Sequence, residues 1–374
     1  MNEIRLSKSC IGTAEKAAVN KVLDRGFFGM GQEVKEFEDA LTHFFGRPAV
    51  CVVNGTAALH LALQCAGVKD GDEVLVQSLT YVASFQAIAA TGAKPISCDV
   101  LAATVGIDLT DAATKLTSRT KAIMPVHYAG GVGNLDAIYD FAKTHGLRVV
   151  EDAAHAFGTT YKGKKVGAIG DIACFSFDGI KNITSGEGGC VVTDDPAVLS
   201  LIRDARLLGV ESDTEKRFSG QRSWNPDVSI QGWRYHMSDL MAAIGKEQLS
   251  NFSFHKSRRQ ELAKSYITHL ETISSVTIFT HNYDEVVPHI FVIILDEGID
   301  RDRLMKRLSD KGVPVGIHYK PNHLLSYFST GCDETLPVTD TLYPRLLTLP
   351  LHPDLSATDI AFIVRELKEG IENV

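Results

Sequence analysis

Between about residues 49 and 195 the chain alternates two hydrophobic patterns. Short apolar runs, "AVCVV", "DEVLVQS", "KPISCDV", "KAIMPVHY", "LRVVEDAA", "IACFSF" and "CVVTDD", read as strands buried on both faces. Among them stand segments of helical period, "NGTAALHLALQCAG", "TYVASFQAIAATG" and "NLDAIYDFAKTHG". In the last, Leu135, Ile138, Phe141 and Ala142 share one face, and Gly146 suits a C-cap. Strands that are apolar on both sides and separated by helices predict an α/β fold, its mainly parallel sheet flanked by helices.

Two helices, "TAEKAAVNKVLDRG" and "QEVKEFEDALTHFFG", precede this block; Val34, Phe37, Leu41 and Phe44 form the apolar face of the second. From about 205 to 237 the periodicity is lost, and Gly, Arg, Ser, Trp and Asn mix in what reads as a long ordered loop. Such a loop is usually functional or interfacial. Beyond about 245 the organisation changes. The helix "KSRRQELAKSYITHLE" leads to strand-like "VTIF", "HIFVIIL" and "VPVGIHY", with the helix "DRDRLMKRLSDKG" between the last two. The segment "SATDIAFIVRELKEGI" carries a capping box, Ser356 and Asp359, and an apolar face of Ile360, Ile363 and Leu367. The expected division is a large domain, residues 1–245, and a smaller C-terminal α+β domain, residues 246–374.

Composition narrows the class. The 374 residues are 44% hydrophobic and 22% charged, the profile of a soluble globular protein. A formal net charge of -8 without a basic stripe argues against a nucleic-acid partner. No apolar run approaches the ~20 residues of a membrane span, and "MNEIRLSKSC" lacks the apolar core of a signal peptide. The seven cysteines are scattered, with no Cys-x-x-Cys pair, which suggests free thiols and a cytoplasmic location.

In parallel α/β sheets, ligands bind beyond the carboxyl ends of the strands. After "AVCVV" come Asn54, Gly55, Thr56 and Ala57, then a helix. A small turn opening a helix offers free N–H groups to a phosphate; an ordinary βα turn capped by Thr56 is the equal alternative. After "LRVV" stand Glu151 and Asp152, which are costly to bury unless paired. One of them faces a cation in a site, or both serve salt bridges. After "IACFSF", in "SFDGIKNITSGEGG", Lys181 stands among small, turn-prone residues, with Ser176 at the strand end. A solvated lysine needs no such setting, whereas partial burial makes Schiff-base chemistry accessible. Taken together, a phosphate cradle, a carboxylate and a lysine at the ends of three strands meet the three needs of pyridoxal 5'-phosphate. Tyr81, after "VLVQSLT", is the candidate for stacking on its ring, or else a rim aromatic.

The residues resemble a known family, the pyridoxal-phosphate sugar aminotransferases of the DegT/DnrJ/EryC/StrS group, of aspartate-aminotransferase fold type I. The resemblance runs over nearly the whole chain through "NGTAALHLAL", "GDEVLVQSLTYVAS", "PVHYAG", "EDAAHAFGTTYKGKKVG", "FSFDGIKNITSGEGG", "MSDLMAAIG", "GIHYKPNH" and "LPLHPDLS". It implies that Lys181 is the Schiff-base lysine and that Asp152 pairs with the pyridine nitrogen. Thr56, Ala57 and Ser176 match the phosphate binders, and Tyr81 the stacking aromatic. His155, where many relatives carry glutamine, would touch the cofactor's phenolic oxygen. Dehydrating relatives replace the lysine with histidine, so a retained Lys181 implies transamination, with L-glutamate as donor and a nucleotide-linked keto-sugar as acceptor. One departure stands out. Many members read Gly-Tyr-Asn-Tyr-Arg before "MSD", and that asparagine reaches the neighbouring subunit's cofactor phosphate; here the chain reads Gly232-Trp233-Arg234-Tyr235-His236. Arg234 replaces that amide with a charge-assisted contact, or else faces the nucleotide diphosphate or solvent. This feature looks most like the branch that aminates a UDP-linked 4-keto-pentose. His318, Tyr319 and His323 are candidate sugar contacts or members of a structural turn. Arg222 and Asn225, near Trp224, are candidates for contacts across a homodimer, which the fold type implies, or members of a surface loop.

Other readings fit less. A nicotinamide dehydrogenase wants Gly-x-Gly-x-x-Gly after the first strand, which "NGTAAL" lacks. A β-eliminating or desulfurating enzyme wants an exposed catalytic cysteine, for which Cys332 alone qualifies. A non-catalytic binder of the sugar nucleotide has no need of Lys181 and Asp152. Within the family, amination at C3 is the alternative to C4.

Overall fold

Alternate residues of each central strand point to opposite faces of the sheet, and in this chain both sets are apolar. Thus Val50, Val52, Val150, Ile172, Cys174 and Val191 enter one buried cluster, while Cys51, Ala173, Phe175, Cys190 and Val192 enter another. The computed structural model describes residues 3–221, 224–329 and 335–374. Its strands, in chain order, are β1 (Ala49–Val52), β2 (Glu73–Gln77), β3 (Lys94–Cys98), β4 (Thr120–Met124), β5 (Arg148–Asp152), β6 (Thr160–Tyr161), β7 (Lys164–Lys165), β8 (Ile172–Ser176), β9 (Gly189–Thr193), β10 (Val276–Ile278), β11 (Phe291–Leu295) and β12 (Leu346–Leu349).

The main sheet has seven strands in the order β1-β9-β8-β5-β4-β2-β3. Strand β9 pairs antiparallel with both β1 and β8, and the other pairings are parallel. The reversal has a local cause. A parallel return would have to carry the chain across a face of the sheet, whereas Phe177 and Gly188 are hydrogen-bonded to each other and close the connection back on itself. Phe177 N donates to Gly188 O at 2.8 Å, and Ser185 N donates to Phe177 O at 2.9 Å. The loop that carries Lys181 is therefore pinned at both ends to one hairpin.

A second sheet, β10-β11-β12, is antiparallel and packs its Phe291, Ile293, Leu295, Leu347 and Leu349 against the helices Phe252–Leu270 and Ala357–Ile371. The predicted capping box is formed, with Ser356 Oγ accepting from Asp359 N. Two sequence expectations change here. "VPVGIHY" forms no strand, only the bridge Gly316↔Thr348, and "LLTL" supplies the third strand instead. Pro314 has no N–H for a ladder and Gly316 weakens a strand interior, so the segment is poorly suited to the sheet. Ile4 also lies in this second core, and Leu351 N donates to Leu6 O at 3.0 Å, so residues 4–6 pack with the C-terminal part.

An aromatic knot joins these pieces beneath the loop of Lys181. The ring of Phe157 lies 5.0 Å from that of Phe44, 5.1 Å from Phe252, 5.7 Å from Phe175 and 5.8 Å from Phe177. Phe157 is fully buried and follows His155 by two residues. Replacing it by Ala removes the ring that all four neighbours share. Phe157→Ala is expected to lower stability by about 3–5 kcal/mol, read as a fall in the urea unfolding midpoint of the full chain.

Candidate active site

The carboxyl ends of β1, β2, β4, β5 and β8 converge on a cavity of about 430 Å³. Each wall comes from a different strand end, so the site depends on the sheet order rather than on any one motif.

The first wall is the start of helix Gly55–Cys65. Its N-cap is Asn54, not Thr56: Asn54 Oδ1 accepts from Ala57 N at 2.8 Å, and the Asn54 carbonyl accepts from Ala58 N at 3.1 Å. That leaves the amides of Gly55 and Thr56, both lining the cavity, at the positive end of the helix. Ser176, at the end of β8, lines the cavity beside them. A Cβ on residue 55 would lie 2.8 Å from Ser176 Cβ, so only glycine lets helix and strand approach this closely. The pair forms a small cradle suited to an anion.

The second wall is Asp152, buried at the end of β5. Ser84 Oγ donates to its Oδ2 at 2.7 Å, and Ala154 N donates to its Oδ1 at 3.2 Å. Thr80 Oγ1 lies 3.0 Å from Ser84 Oγ and extends the chain of polar groups. Burial holds the carboxyl pKa above its usual value, with the two donors and the charge of Lys181 acting against it. Glu151 points the other way, into a buried pair with His127 at 2.7 Å and a hydrogen bond from Tyr139 at 2.6 Å. The two adjacent carboxylates thus take different roles, one satisfied in the core and one open to the cavity.

The third wall is Lys181. Its loop is held by Asn182 Nδ2, which donates to Phe157 O and Val287 O at 3.2 Å each. Lys181 Nζ opens onto the cavity and lies 3.3 Å from His289 Nε2. Burial lowers the lysine pKa to about 8, with Asp152 and Asp178 acting against it. Burial also keeps His289 well below the usual histidine range, so it is a neutral acceptor for an ammonium at Lys181.

Aromatic and imidazole groups complete the enclosure. Tyr81 and Tyr319 face each other with ring centroids 5.3 Å apart. Tyr319 Oη lies 3.0 Å from His155 Nε2, while His155 Nδ1 has no partner among the described residues. His318 Nδ1 lies 2.9 Å from Thr348 Oγ1. His155, His318 and Tyr319 all line the cavity, as does Tyr81.

Other sequence candidates lie elsewhere. Ala57 is buried off the cavity, its amide spent on the cap. His323 is buried with Nδ1 2.7 Å from Ser78 Oγ and Nε2 3.1 Å from Asp340 Oδ1, which leaves neither nitrogen for a sugar. Arg234 and Asn225 are exposed on the irregular segment and do not line this cavity. Arg222 and Cys332 lie outside the described residues. Conversely, Ser84 and His289 had no signal strong enough to single them out: one sits inside a helix, the other precedes an apolar strand.

The profile of the DegT/DnrJ/EryC1/StrS aminotransferase family matches residues 9–368. The chain is similar to the aminotransferase TlmJ from Streptoalloteichus hindustanus, at 32% identity over 99% of each chain and a TM-score of 0.91. It is similar to Spr1654 from Streptococcus pneumoniae in its PLP form, at 29% identity over 99% of each chain and a TM-score of 0.91. The aminotransferase PseC from Helicobacter pylori, involved in the biosynthesis of pseudoaminic acid, shares the fold at 24% identity, with both chains fully covered and a TM-score of 0.92.

The depressed pKa of Lys181 has a direct readout. In cofactor-free protein, its labelling by an amine-reactive reagent, followed by peptide mass spectrometry, is expected to rise with pH about a midpoint near 8. An unperturbed lysine would instead rise to about 10.4.

Proposed function

The chain belongs to the DegT/DnrJ/EryC1/StrS aminotransferase family, and from that premise we propose that it moves the amino group of L-glutamate onto C4 of a nucleotide-linked 4-keto-sugar. It is a pyridoxal-phosphate-dependent sugar aminotransferase. The observation that carries the proposal is the convergence of Lys181, Asp152 and the Gly55–Ser176 cradle on one cavity.

The side chains suit the cofactor. The cradle at Gly55, Thr56 and Ser176 would take the phosphate, Asp152 the ring nitrogen, Lys181 the aldehyde, and Tyr81 one face of the ring. Among the described residues no Lys or Arg forms an ion pair with Asp152, so its charge is left for a cation in the cavity. The partnerless His155 Nδ1 is available to a further polar atom. Bound pyridoxal phosphate supplies an electron sink next to the carbon that loses a proton, and carries the amino group between donor and acceptor. Lys181 Nζ, which lines the same cavity, would take and return that proton. Asp152 would keep the ring nitrogen charged, and Ser84 Oγ and the Ala154 amide orient its carboxylate for that contact. His318 and Tyr319, contributed by the C-terminal part, are the residues on which an acceptor sugar would rest.

The active unit in this reading is a cytoplasmic homodimer that serves cell-surface polysaccharide or lipopolysaccharide sugar synthesis. Support for the dimer lies in the irregular segment, where Trp224 is 91% exposed with Leu208 and Val228 near half exposed. Arg234 and Asn225 on that segment would reach the partner's cavity. No helix among the described residues is long and apolar enough to cross a membrane.

The test is to charge the cofactor with L-glutamate, remove 2-oxoglutarate and add nucleotide-linked 3-keto- and 4-keto-sugars, following the return of the cofactor's visible absorption. Return with a 4-keto-sugar is expected; silence with every nucleotide-linked keto-sugar overturns the substrate class. In steady-state kinetics, Asp152→Asn is expected to lower kcat by about 10²–10³-fold. Ser84→Ala is expected to lower it by about tenfold, the worth of one hydrogen bond of about 1–1.5 kcal/mol.

A further inference from the structure

Behind the wall that carries Lys181, helix Phe252–Leu270 sends one guanidinium into the interior. Arg259 is only 2% exposed. One of its terminal nitrogens, Nη1, donates to the carbonyls of Pro288 at 3.3 Å and His289 at 3.1 Å. The other, Nη2, donates to the carbonyls of Ile180 and Lys181 at 3.4 Å each. The two arms of one rigid fork therefore grip two backbone segments, the two whose side chains meet where Lys181 Nζ faces His289 Nε2.

The choice of arginine is informative. A lysine presents one point charge and cannot hold two segments at a set spacing, whereas the planar fork can. Among the described residues no carboxylate pairs with Arg259, and its Nε has no partner. Burial lowers its pKa to about 10, so it remains a cation at neutral pH. The charged groups acting on Lys181 are then Asp152 and Asp178, which favour the ammonium, and Arg259, which disfavours it. The neighbouring imidazoles of His155, His289 and His318 are neutral, their pKa values lowered chiefly by burial.

We propose that Arg259 is a positioning residue for the aminotransfer centre: its fork fixes the Lys181 amine against His289, and its unneutralised charge adds positive potential behind that amine. The proposal rests on the reading of Lys181 as the cofactor anchor. It assigns to a residue outside the cavity both the placement and part of the electrostatics of the reacting nitrogen.

The experiment compares the full chain with Arg259→Met and Arg259→Lys, using two readouts. The first is the pH midpoint of Lys181 labelling in cofactor-free protein. Arg259→Met is expected to move it upward by about half a unit or more, because a nearby like charge has gone. Arg259→Lys keeps the charge and is expected to leave it within about 0.3 unit of the parent. The second is the rate at which added pyridoxal phosphate becomes trappable on Lys181 by borohydride. Both variants are expected to slow it about fivefold or more, because the amine has lost its fixed placement. An unchanged midpoint in folded Arg259→Met, or capture by Arg259→Lys at the parent rate, overturns the proposal. If Arg259→Met does not fold, judged by circular dichroism, the capture rate of Arg259→Lys decides alone. A parent protein that traps no cofactor on Lys181 overturns the anchor reading itself, an outcome distinct from equal trapping in parent and variants.

Discussion

An amine that must shed its proton and a carboxylate that must keep its charge share one desolvated cavity, and the remainder of the structure serves that requirement. Burial acts on both groups toward neutrality. For Lys181 that is useful, and the pKa falls to about 8 despite the attraction of Asp152 and Asp178. For Asp152 it is harmful, and the fold answers with Ser84 Oγ and the Ala154 amide, one on each carboxylate oxygen. On both sides of the cavity burial therefore remains the largest influence, and on both sides it is opposed by specific partners, two carboxylates for the amine and two hydrogen-bond donors for the carboxylate.

The scaffold makes this arrangement possible by drawing each group from a different strand end. Asp152 is fixed by the register of β5 between β4 and β8. Lys181 hangs from the one reversed connection in the sheet, where β8 turns back into β9. Phe157 and Phe177 belong to one aromatic cluster, which ties the segment of His155 to the root of that connection. Small residues in the loop answer the question that its sequence poses. They let the chain turn tightly enough to carry one long side chain into the cavity.

Much of this was legible in the chain itself. Seven double-sided apolar runs give the seven strands of the main sheet, and the residues following them include Thr56, Tyr81, Asp152, Ser176 and Lys181, all on the cavity. What escaped depended on partners distant in sequence. Ser84 looks like an ordinary helix residue until β5 brings Asp152 beside it. His289 is one histidine before an apolar strand until the loop of Lys181 arrives. His323 looked available because Ser78 and Asp340, which occupy both its nitrogens, are 245 and 17 positions away. The direction of β9 and the use of "LLTL" in place of "VPVGIHY" were likewise decided by pairing rather than by local pattern.

The pairing of Leu6 with Leu351 carries a consequence for biosynthesis. The core that receives Ile4 also needs Leu347, Leu349 and the helix Ala357–Ile371. At translation rates of about 5–20 residues per second, Ile4 and Leu6 wait on the order of 20–70 s for these partners to be made. The main sheet is complete in the nascent chain well before that. His318 and Tyr319 follow the main sheet in the chain, so the strand ends that carry Lys181 and Asp152 are synthesised before the residues that enclose the cavity with them.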